Sequence, residues 1–251
     1  MTSISSPPRS AISCTIVDAG GVRREGVTVS DAYLLDFIGF EPVRRIRSYK
    51  GQVGLPGKYW FAALDKLIAY ESRLEMLNLM LLDFDVDCVD VLPQPLALHF
   101  HLDAGSTPWH VPDFLVSLAG GRFLLVDVKP RHQAERPKHL ATFSLTQVWC
   151  DQLGWDYRVL SEPGDVYMRN LRWLSGFRRR PVNFDSNAGE LLEAVGGGAR
   201  AVGSLLAGFE HPSLVRPVLF HLLWRQLLAF DLNLALEDST LVFLSSQRLA
   251  A

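Results

Sequence analysis

Two aspartates and a lysine lie at the ends of a stretch that is typical of a β-hairpin. Asp113 belongs to the strand-like run 111–118, and Asp127 and Lys129 follow after a Gly-Gly turn. Carboxylates are the hard oxygen ligands that Mg²⁺ prefers, and a bound cation can activate water and neutralise a phosphate. Lys129 lies two residues beyond Asp127 and points to the same strand face, so its ammonium can hold water or stabilise developing charge. These residue types suit metal-assisted hydrolysis of a phosphodiester.

The loop length decides whether the two aspartates can act together. A three-residue loop, 119–121, places Asp113 opposite Asp127, whereas a two-residue loop turns Asp113 to the other face. Gly121 at the last loop position favours the three-residue type, which needs a residue in the left-handed region. We therefore expect all three side chains to share one face.

A helix packed against this hairpin is expected to supply a fourth member. The run 72–82 contains no Gly or Pro and has leucines at helical spacing. Of Glu71 and Glu75, the sequence favours Glu75, because it lies among apolar residues where a buried carboxylate is costly without a metal or a partner. Ser72 and Glu75 also match a capping box, in which Glu75 only bonds the helix start. Both interpretations stay open on spacing alone.

Three histidines lie near these residues. His99 and His101 fall on one face of the alternating run 96–102. They could bind zinc, but the polar face of a half-buried strand is the favoured interpretation. His110 could approach the site from the segment before Asp113, or it could be an exposed loop residue.

Length and composition set the wider limits. The chain has 251 residues, 48% hydrophobic and 21% charged, which is enough for one large or two small domains with real cores. It has no apolar run of membrane-spanning length and no secretory signal pattern, so we expect a soluble, cytoplasmic protein without a membrane partner. Cys14, Cys88 and Cys150 are scattered, which predicts free thiols rather than disulfides or a structural zinc site.

Charge is unevenly distributed along the chain, although the net charge is −2. Residues 22–58 carry seven basic and four acidic side chains, and residues 162–181 carry five and two. Residues 182–251 reverse the balance, with four basic and seven acidic side chains. Phosphate contacts need cations, so the C-terminal part is a poor candidate for gripping DNA.

The order of elements predicts an α/β protein with a small second domain. Strands around the turn at 19–21 come first, followed by the helix, two strands, the hairpin, a helix at 141–153 and a strand at 156–160. Helices are expected at 188–195, 200–208 and 217–230, and a hairpin is expected across 232–243. Three helices and a hairpin form a winged-helix order. We expect a flexible N-terminus at 1–10, a catalytic domain at 11–181 and a winged-helix-like domain at 182–251.

Several motifs occur in an order that resembles TnsA, the endonuclease subunit of heteromeric cut-and-paste transposases. They are Tyr70-Glu71-Ser72-Arg73-Leu74-Glu75, Leu81-Leu82-Asp83-Phe84-Asp85, Gln94-Pro95, His110-Val111-Pro112-Asp113-Phe114-Leu115-Val116 and Val126-Asp127-Val128-Lys129-Pro130. The resemblance covers roughly residues 44–162 and is far more specific than an isolated Asp-x-Lys. It implies a restriction-endonuclease-like mixed sheet flanked by helices, with the PD-(D/E)xK site on Glu75, Asp113, Asp127 and Lys129. The best-known members carry glutamine where this chain has Asp127, which restores the commoner acid of the nuclease motif.

The resemblance also implies a function. It predicts a Mg²⁺-dependent DNA endonuclease, with Mn²⁺ able to substitute, in which Glu75, Asp113 and Asp127 hold the metal. The enzyme would cut the 5′ ends of a transposable element while an integrase-type partner cuts the 3′ ends. Expected partners are double-stranded element ends, that transposase subunit and an ATPase regulator. Two alternatives remain: a stand-alone restriction or repair nuclease, and a non-catalytic winged-helix adaptor on a decayed nuclease fold.

Overall fold

The computed structural model describes residues 12–46, 54–85, 87–101 and 107–245. The chain divides into two compact units: Met1–Leu79 with Asp87–Glu162, and Met80–Val86 with Pro163–Ala251. The expected flexible segment 1–10 lies outside the described residues. The mixed α/β class predicted from the sequence is the one observed.

The first unit is built mainly from strands. These are β1 (Ile12–Val17), β2 (Arg23–Val27), β3 (Gly57–Phe61), β4 (Lys66–Tyr70), β5 (Cys88–Pro93), β6 (Ala97–Phe100), β7 (Trp109–His110), β8 (Phe114–Leu118), β9 (Arg122–Val128) and β10 (Asp156–Leu160). Its helices are α1 (Val29–Tyr33), α2 (Arg73–Phe84), α3 (Arg131–Ala134) and α4 (Pro137–Leu153). The C-terminal part of α2 belongs to the second unit.

The central sheet has the strand order β10-β9-β8-β5 and contains the predicted hairpin. β8 pairs antiparallel with β9, from Phe114 opposite Val126 to Leu118 opposite Arg122. This is the register of a three-residue loop, and Gly121 has the required positive φ of 73°. The loop length and register predicted from the sequence are confirmed.

α4 carries the chain from β9 across to the parallel strand β10. Its buried residues recur every three to four positions, which is the spacing of one helix face: Phe143, Thr146, Trp149, Cys150 and Leu153. Trp149 and Leu125 of β9 belong to one core cluster that also includes Leu98 of β6. The core therefore lies under the central sheet and holds β9 in place.

A second sheet of the first unit has the order β2-β1-β6-β7. β1 and β2 form the hairpin expected around residues 19–21, with Val17 opposite Arg23. β7 pairs with β6 and carries His110, which lies opposite Leu98. This sheet therefore fixes the position of His110, which precedes Asp113 by three residues.

The second unit, besides the end of α2, consists of short helices and a small sheet. Its elements are α5 (Asp165–Ser175), α6 (Phe184–Gly196), β11 (Arg200–Ala201), α7 (Val202–Ala207), α8 (Pro212–Trp224), β12 (Leu228–Ala229) and β13 (Leu241–Leu244). β13 lies between β11 and β12 and is antiparallel to both. After α5, the order is thus helix, strand, two helices and two strands.

Two predictions in this unit were wrong in position. The helix expected at 217–230 spans Pro212–Trp224, because Pro212 occupies its first turn and Pro217 lies inside it. The first strand of the expected hairpin is Leu228–Ala229 rather than the alternating run 232–236. The leucines of that run, which suggested a strand, instead lie in a loop whose carbonyls bind a buried side chain, Asn170.

The two compact units part between Glu162 and Pro163, so the second unit contains α5 as well as residues 182–245. α5, which the sequence did not predict, packs on α8 within this unit. Trp173 of α5 lies 6.2 Å from Phe220 of α8, ring centre to ring centre. Among the helices that the structure describes, none is both long and apolar enough to cross a membrane.

Candidate active site

Asp113 lies at the open end of the β8–β9 hairpin. Its amide donates to the carbonyl of Val126 at 2.9 Å, and its carbonyl accepts from the amide of Gln94 at 2.8 Å. Its carboxylate oxygen Oδ2 accepts from the amide of Val128 at 2.6 Å. Extending the hairpin register by one pair puts Asp113 opposite Asp127, although its amide bonds Val126 rather than Asp127. The carboxylate is therefore fixed beside the strand that carries Asp127 and leads to Lys129.

Asp127 is the most enclosed of the predicted site residues, with 1% of its surface exposed. The hydroxyl of Tyr157, on β10, donates to its Oδ2 at 2.5 Å. His110 Nε2 lies 2.9 Å from both carboxylate oxygens. Burial, followed by the charge of Asp127, raises the pKa of Tyr157, so this hydroxyl stays a donor. Residues from β7, β9 and β10 thus meet at one carboxylate.

Glu75 lies in the first turn of α2 with 8% of its surface exposed. Its two oxygens accept from the amide of Glu71 and the hydroxyl of Ser72, each at 2.8 Å, and the Ser72 hydroxyl accepts from the Glu75 amide. The capping role considered from the sequence is therefore present. Glu71, the other candidate, has both oxygens bound by Arg44, at 2.8 and 2.7 Å.

Capping does not remove Glu75 from the site, because its charge acts on the other members. Burial raises the pKa of Asp113 well above its ordinary value, and the negative charges of Asp127 and Glu75 raise it further. The Val128 amide and the Lys129 ammonium oppose that rise in pKa. Burial also raises the pKa of Glu75, while Lys129 acts to lower it. The four residues named from the sequence are thus near enough to influence one another.

Lys129 is held through its backbone. Its amide donates to the carbonyl of Leu160 at 2.8 Å, and its carbonyl accepts from the Ser161 hydroxyl at 2.8 Å. Within the described residues its ammonium makes no hydrogen bond or ion pair, although its charge acts on Glu75 and Asp113. The backbone of Lys129 is therefore held by hydrogen bonds, while its ammonium is available to bind an anion.

The types of side chain at the candidate site suit a divalent cation, but their present arrangement does not form a metal site. Three carboxylates supply hard oxygens. Burial raises the pKa of Asp113, and the negative charges of Asp127 and Glu75, which a cation would offset, raise it further. Within the described part of the chain, however, no group of three or more His, Cys, Asp or Glu side chains is arranged to hold a metal ion. Each carboxylate is hydrogen bonded to protein groups. Metal binding would require some of these bonds to be exchanged.

Gln94 is a further polar group beside Asp113. It is 2% exposed, has a positive φ of 47°, and neither end of its amide has a partner in the described structure. Buried polar groups are normally hydrogen bonded. An unsatisfied amide next to Asp113 in the strand ladder is consistent with a site that accepts a further polar ligand or water.

The other histidines take the structural role favoured by the sequence. His99 Nε2 lies 2.9 Å from the Thr15 hydroxyl, and His101 Nε2 lies 3.0 Å from the Ser13 hydroxyl. These contacts make them part of the polar face between β1 and β6. His110 takes the first of its two interpretations, since it contacts Asp127.

Two features were missed from the sequence. Tyr157 had no local signal, because only the parallel pairing of β10 with β9 brings its hydroxyl to Asp127. The segment 129–139 did have one, since it holds four basic residues, two histidines and one acid, Glu135. This local excess of basic residues was missed because the charges were counted over longer segments of the chain.

A family model described as TnsA-like endonuclease N terminal matches residues 85–162. The match begins directly after α2 and includes Asp113, Asp127 and Lys129, whereas Glu75 precedes it. No curated protein matches the chain.

Proposed function

We propose that the chain is the metal-dependent endonuclease subunit of a heteromeric transposase, since a TnsA-like endonuclease family model matches residues 85–162. In this proposal it cuts the 5′ ends of a transposable element, and its partners are the element's DNA ends, an integrase-type transposase subunit and an ATPase regulator. The observation that carries the proposal is the Asp113 carboxylate, which accepts from the Val128 amide next to the buried Asp127 on the strand that leads to Lys129. The charges of Asp127, Glu75 and Lys129 also act on the pKa of Asp113.

The proposed roles follow from the surroundings of each residue. Glu75, Asp113 and Asp127 would hold Mg²⁺, or Mn²⁺ in its place, since all three present carboxylate oxygens. The cation would supply an activated water and offset charge on the phosphate. Lys129 would position the attacking water or stabilise the developing negative charge, because its ammonium has no committed partner among the described residues.

The second unit supports the proposed winged-helix-like, partner-binding domain at 182–251. From α6 onward its order is helix, strand, helix, helix, strand, strand, and the last strand lies between the other two. α8 is buried along most of its length, so it does not offer the exposed basic face that reads a DNA groove. Together with the acidic balance of residues 182–251, this favours a protein partner for the domain.

The decisive variant is Asp113→Asn, which keeps the shape of the side chain and removes its charge. We expect it to lose nicking of element-end DNA when assayed with the partner transposase and Mg²⁺ or Mn²⁺, and to remain folded by circular dichroism. Asp36→Asn is the matched control, since its exposed Oδ1 only accepts from the Ile38 amide. Full nicking by Asp113→Asn would contradict the proposal.

The same materials separate the alternatives. A stand-alone nuclease predicts efficient cutting by the isolated chain, whereas a transposase subunit should be nearly inactive without its partner. A non-catalytic adaptor predicts that calorimetric titration with Mn²⁺ gives the same result for the wild type and for Asp113→Asn. Loss of Mn²⁺ binding in Asp113→Asn, with partner-dependent cutting by the wild type, would support the proposed function over both.

A further inference from the structure

A basic segment follows Lys129 directly and enters α4. We call its side chains the basic rim: Arg131, His132, Arg136, Lys138 and His139. They occupy the short helix α3 and the start of α4, so they are fixed on regular elements of the first unit. This segment joins β9, which carries Asp127, to the helix that packs under the central sheet.

The three permanent cations of the basic rim are exposed and uncompensated. Arg131, Arg136 and Lys138 all face solvent. None of them forms an ion pair within the described part of the chain. Two acids lie nearby: Glu135, which is exposed in the same segment, and Glu162, whose carboxylate accepts from the Arg131 backbone amide at 2.9 Å. Other exposed arginines form ion pairs with carboxylates and are therefore less available to an external anion. Examples are Arg24 with Asp18 and Arg44 with Glu71.

The basic rim also lies close to the candidate active site. Burial lowers the pKa of His139, and the charges of Lys129, Arg136, Lys138 and His110 lower it further. Lys129 and His110 belong to the site already described, through Asp113 and Asp127. Cations of the basic rim and residues of the site are therefore within electrostatic reach of one another.

We propose that the basic rim binds the phosphate backbone of duplex DNA beside the bond to be cut. This inference rests on the proposed endonuclease function and names the surface that holds its substrate. Arginine and lysine side chains on regular elements are typical phosphate contacts, which fix the position of a protein on DNA without reading its sequence. The chain has a net charge of −2, so its attraction to DNA must come from such a local cluster.

The basic rim could instead bind an acidic protein surface. The observations favour DNA over that partner. The side chains of the basic rim are all cationic or imidazole, whereas the centres of protein interfaces are enriched in aromatic residues and depleted of lysine. The basic rim begins two residues after Lys129, which belongs to the candidate active site. A substrate phosphate placed against the site would bring neighbouring phosphates to the rim.

The test compares two triple variants of the full chain with equal change of charge. The rim variant is Arg131→Gln, Arg136→Gln and Lys138→Gln. The control variant is Arg45→Gln, Arg200→Gln and Arg225→Gln, which are also exposed and make no recorded ion pair in the described structure. Binding to a labelled duplex of arbitrary sequence is measured by fluorescence anisotropy in EDTA over a range of salt concentrations, so that no cutting occurs.

We expect the rim variant to bind more weakly than the wild type and to have a shallower plot of log affinity against log salt. The slope should fall by about one for each phosphate contact removed, about three in all. The control variant should keep the wild-type slope. An equal loss of slope in both variants, or an unchanged slope in the rim variant, would overturn the proposal.

Two further outcomes are decided by the same assay. No duplex binding by the wild type at protein concentrations up to about 10⁻⁴ M, the weak limit of non-specific binding, would overturn the proposal. Rim-dependent binding of polyglutamate without binding of duplex would assign the surface to an acidic protein instead.

Failure of the rim and failure of the endonuclease are distinguishable. Asp113→Asn should bind duplex with the wild-type salt slope, because the basic rim is intact in that variant. If the wild type binds through the rim but never cuts with its partner present, the rim stands and the endonuclease proposal falls. If cutting depends on Asp113 but the rim variant binds like the wild type, the rim proposal falls alone.

Discussion

Asp127 shows how a buried carboxylate is kept in place. It is almost fully enclosed, and an isolated charge in such a place is costly. Tyr157 and His110 supply hydrogen bonds from two neighbouring strands, which fix the orientation of both oxygens. Groups that orient a metal ligand in this way affect metal affinity without touching the metal. Tyr157 is therefore expected to be a positioning residue for the proposed site.

Removing the Tyr157 hydroxyl tests that role. We expect Tyr157→Phe to lower Mn²⁺ affinity about tenfold to a hundredfold, which is the usual effect of removing such a partner, while the fold is kept because the ring remains. Calorimetric titration with Mn²⁺ measures the affinity. Tyr33→Phe is the control, since Tyr33 is 71% exposed. Equal Mn²⁺ affinity in the wild type and Tyr157→Phe would mean that the hydroxyl serves only packing.

The raised pKa of Asp113 predicts a pH dependence of stability. The folded chain holds this proton more tightly than the unfolded chain, because burial and the charges of Asp127 and Glu75 oppose ionisation. The free energy of unfolding should therefore decrease as pH rises from about 4, the ordinary aspartate pKa, through the raised pKa.

Asp113→Asn should remove that part of the decrease and make the chain more stable than the wild type near neutral pH. Urea unfolding in EDTA at several pH values measures both effects, with Asp36→Asn as the control. A wild type that gains stability over this range, or an Asp113→Asn variant with the wild-type pH profile, would contradict the assignment of Asp113 as a destabilised carboxylate. The raised pKa of Asp113, which is the main electrostatic feature of the proposed site, would then not be supported.

The site could be predicted from the sequence only where its members have local signals. Asp113, Asp127 and Lys129 lie on one hairpin, so loop length and strand alternation were enough to group them. Glu75 needed the family resemblance, because its spacing equally matched the capping contacts that it makes. Tyr157 could not be found, since its contact with Asp127 depends on a parallel pairing across a helix.

At the scale of elements, the prediction succeeded where turn chemistry and periodicity agree. The β8–β9 hairpin has the predicted register, and β10 spans Asp156–Leu160 as expected. α4 begins at Pro137, earlier than predicted, because proline is well suited to the first turn of a helix. The predicted bounds of α8 were wrong for a related reason: Pro217, which lies inside the helix, was taken as its first residue.

The loop at 231–236 could not be predicted because a distant residue holds it. Asn170 of α5 is 3% exposed, and its amide donates to the carbonyls of Leu232 and Leu234 at 2.9 and 2.6 Å. Its oxygen accepts from the amide of Leu236 at 3.3 Å. These bonds satisfy a loop whose alternating leucines otherwise predict a strand.

Asn170→Ala should therefore destabilise the second unit. Each backbone group left buried without a partner costs about 1–3 kcal/mol, so the free energy of unfolding should fall by at least about 1 kcal/mol even if water reaches part of the loop. Asn233→Ala is the control in the same loop, because Asn233 is exposed. Urea unfolding measures the difference. Equal stability of the two variants would show that the Asn170 contacts do not hold the loop.

At the scale of the whole molecule, the two units are not successive segments of the chain. Residues 80–86 belong to the second unit, although they lie in sequence between parts of the first. Within the second unit the ring of Phe84 lies 5.4 Å from that of Trp224, and the Gln226 side chain donates to the Phe84 carbonyl. The end of α2 is thus bound into a unit that otherwise begins at Pro163, which the charge and periodicity of the sequence do not indicate.

This interleaving predicts that the chain cannot be cut cleanly at its unit boundary. A fragment of residues 1–162 would expose Phe84 and the end of α2, so it should bind a hydrophobic dye and aggregate, whereas co-expression with residues 163–251 should give a complex that purifies together. Phe84→Ser should weaken that association more than Leu67→Ser, because Leu67 is 58% exposed. Size-exclusion chromatography measures both. A 1–162 fragment that is monomeric and well folded, and that ignores residues 163–251, would show that the end of α2 needs no partner. If the complex forms instead, deletion of the second unit is not a valid test of nuclease activity, and point variants such as Asp113→Asn must carry that test.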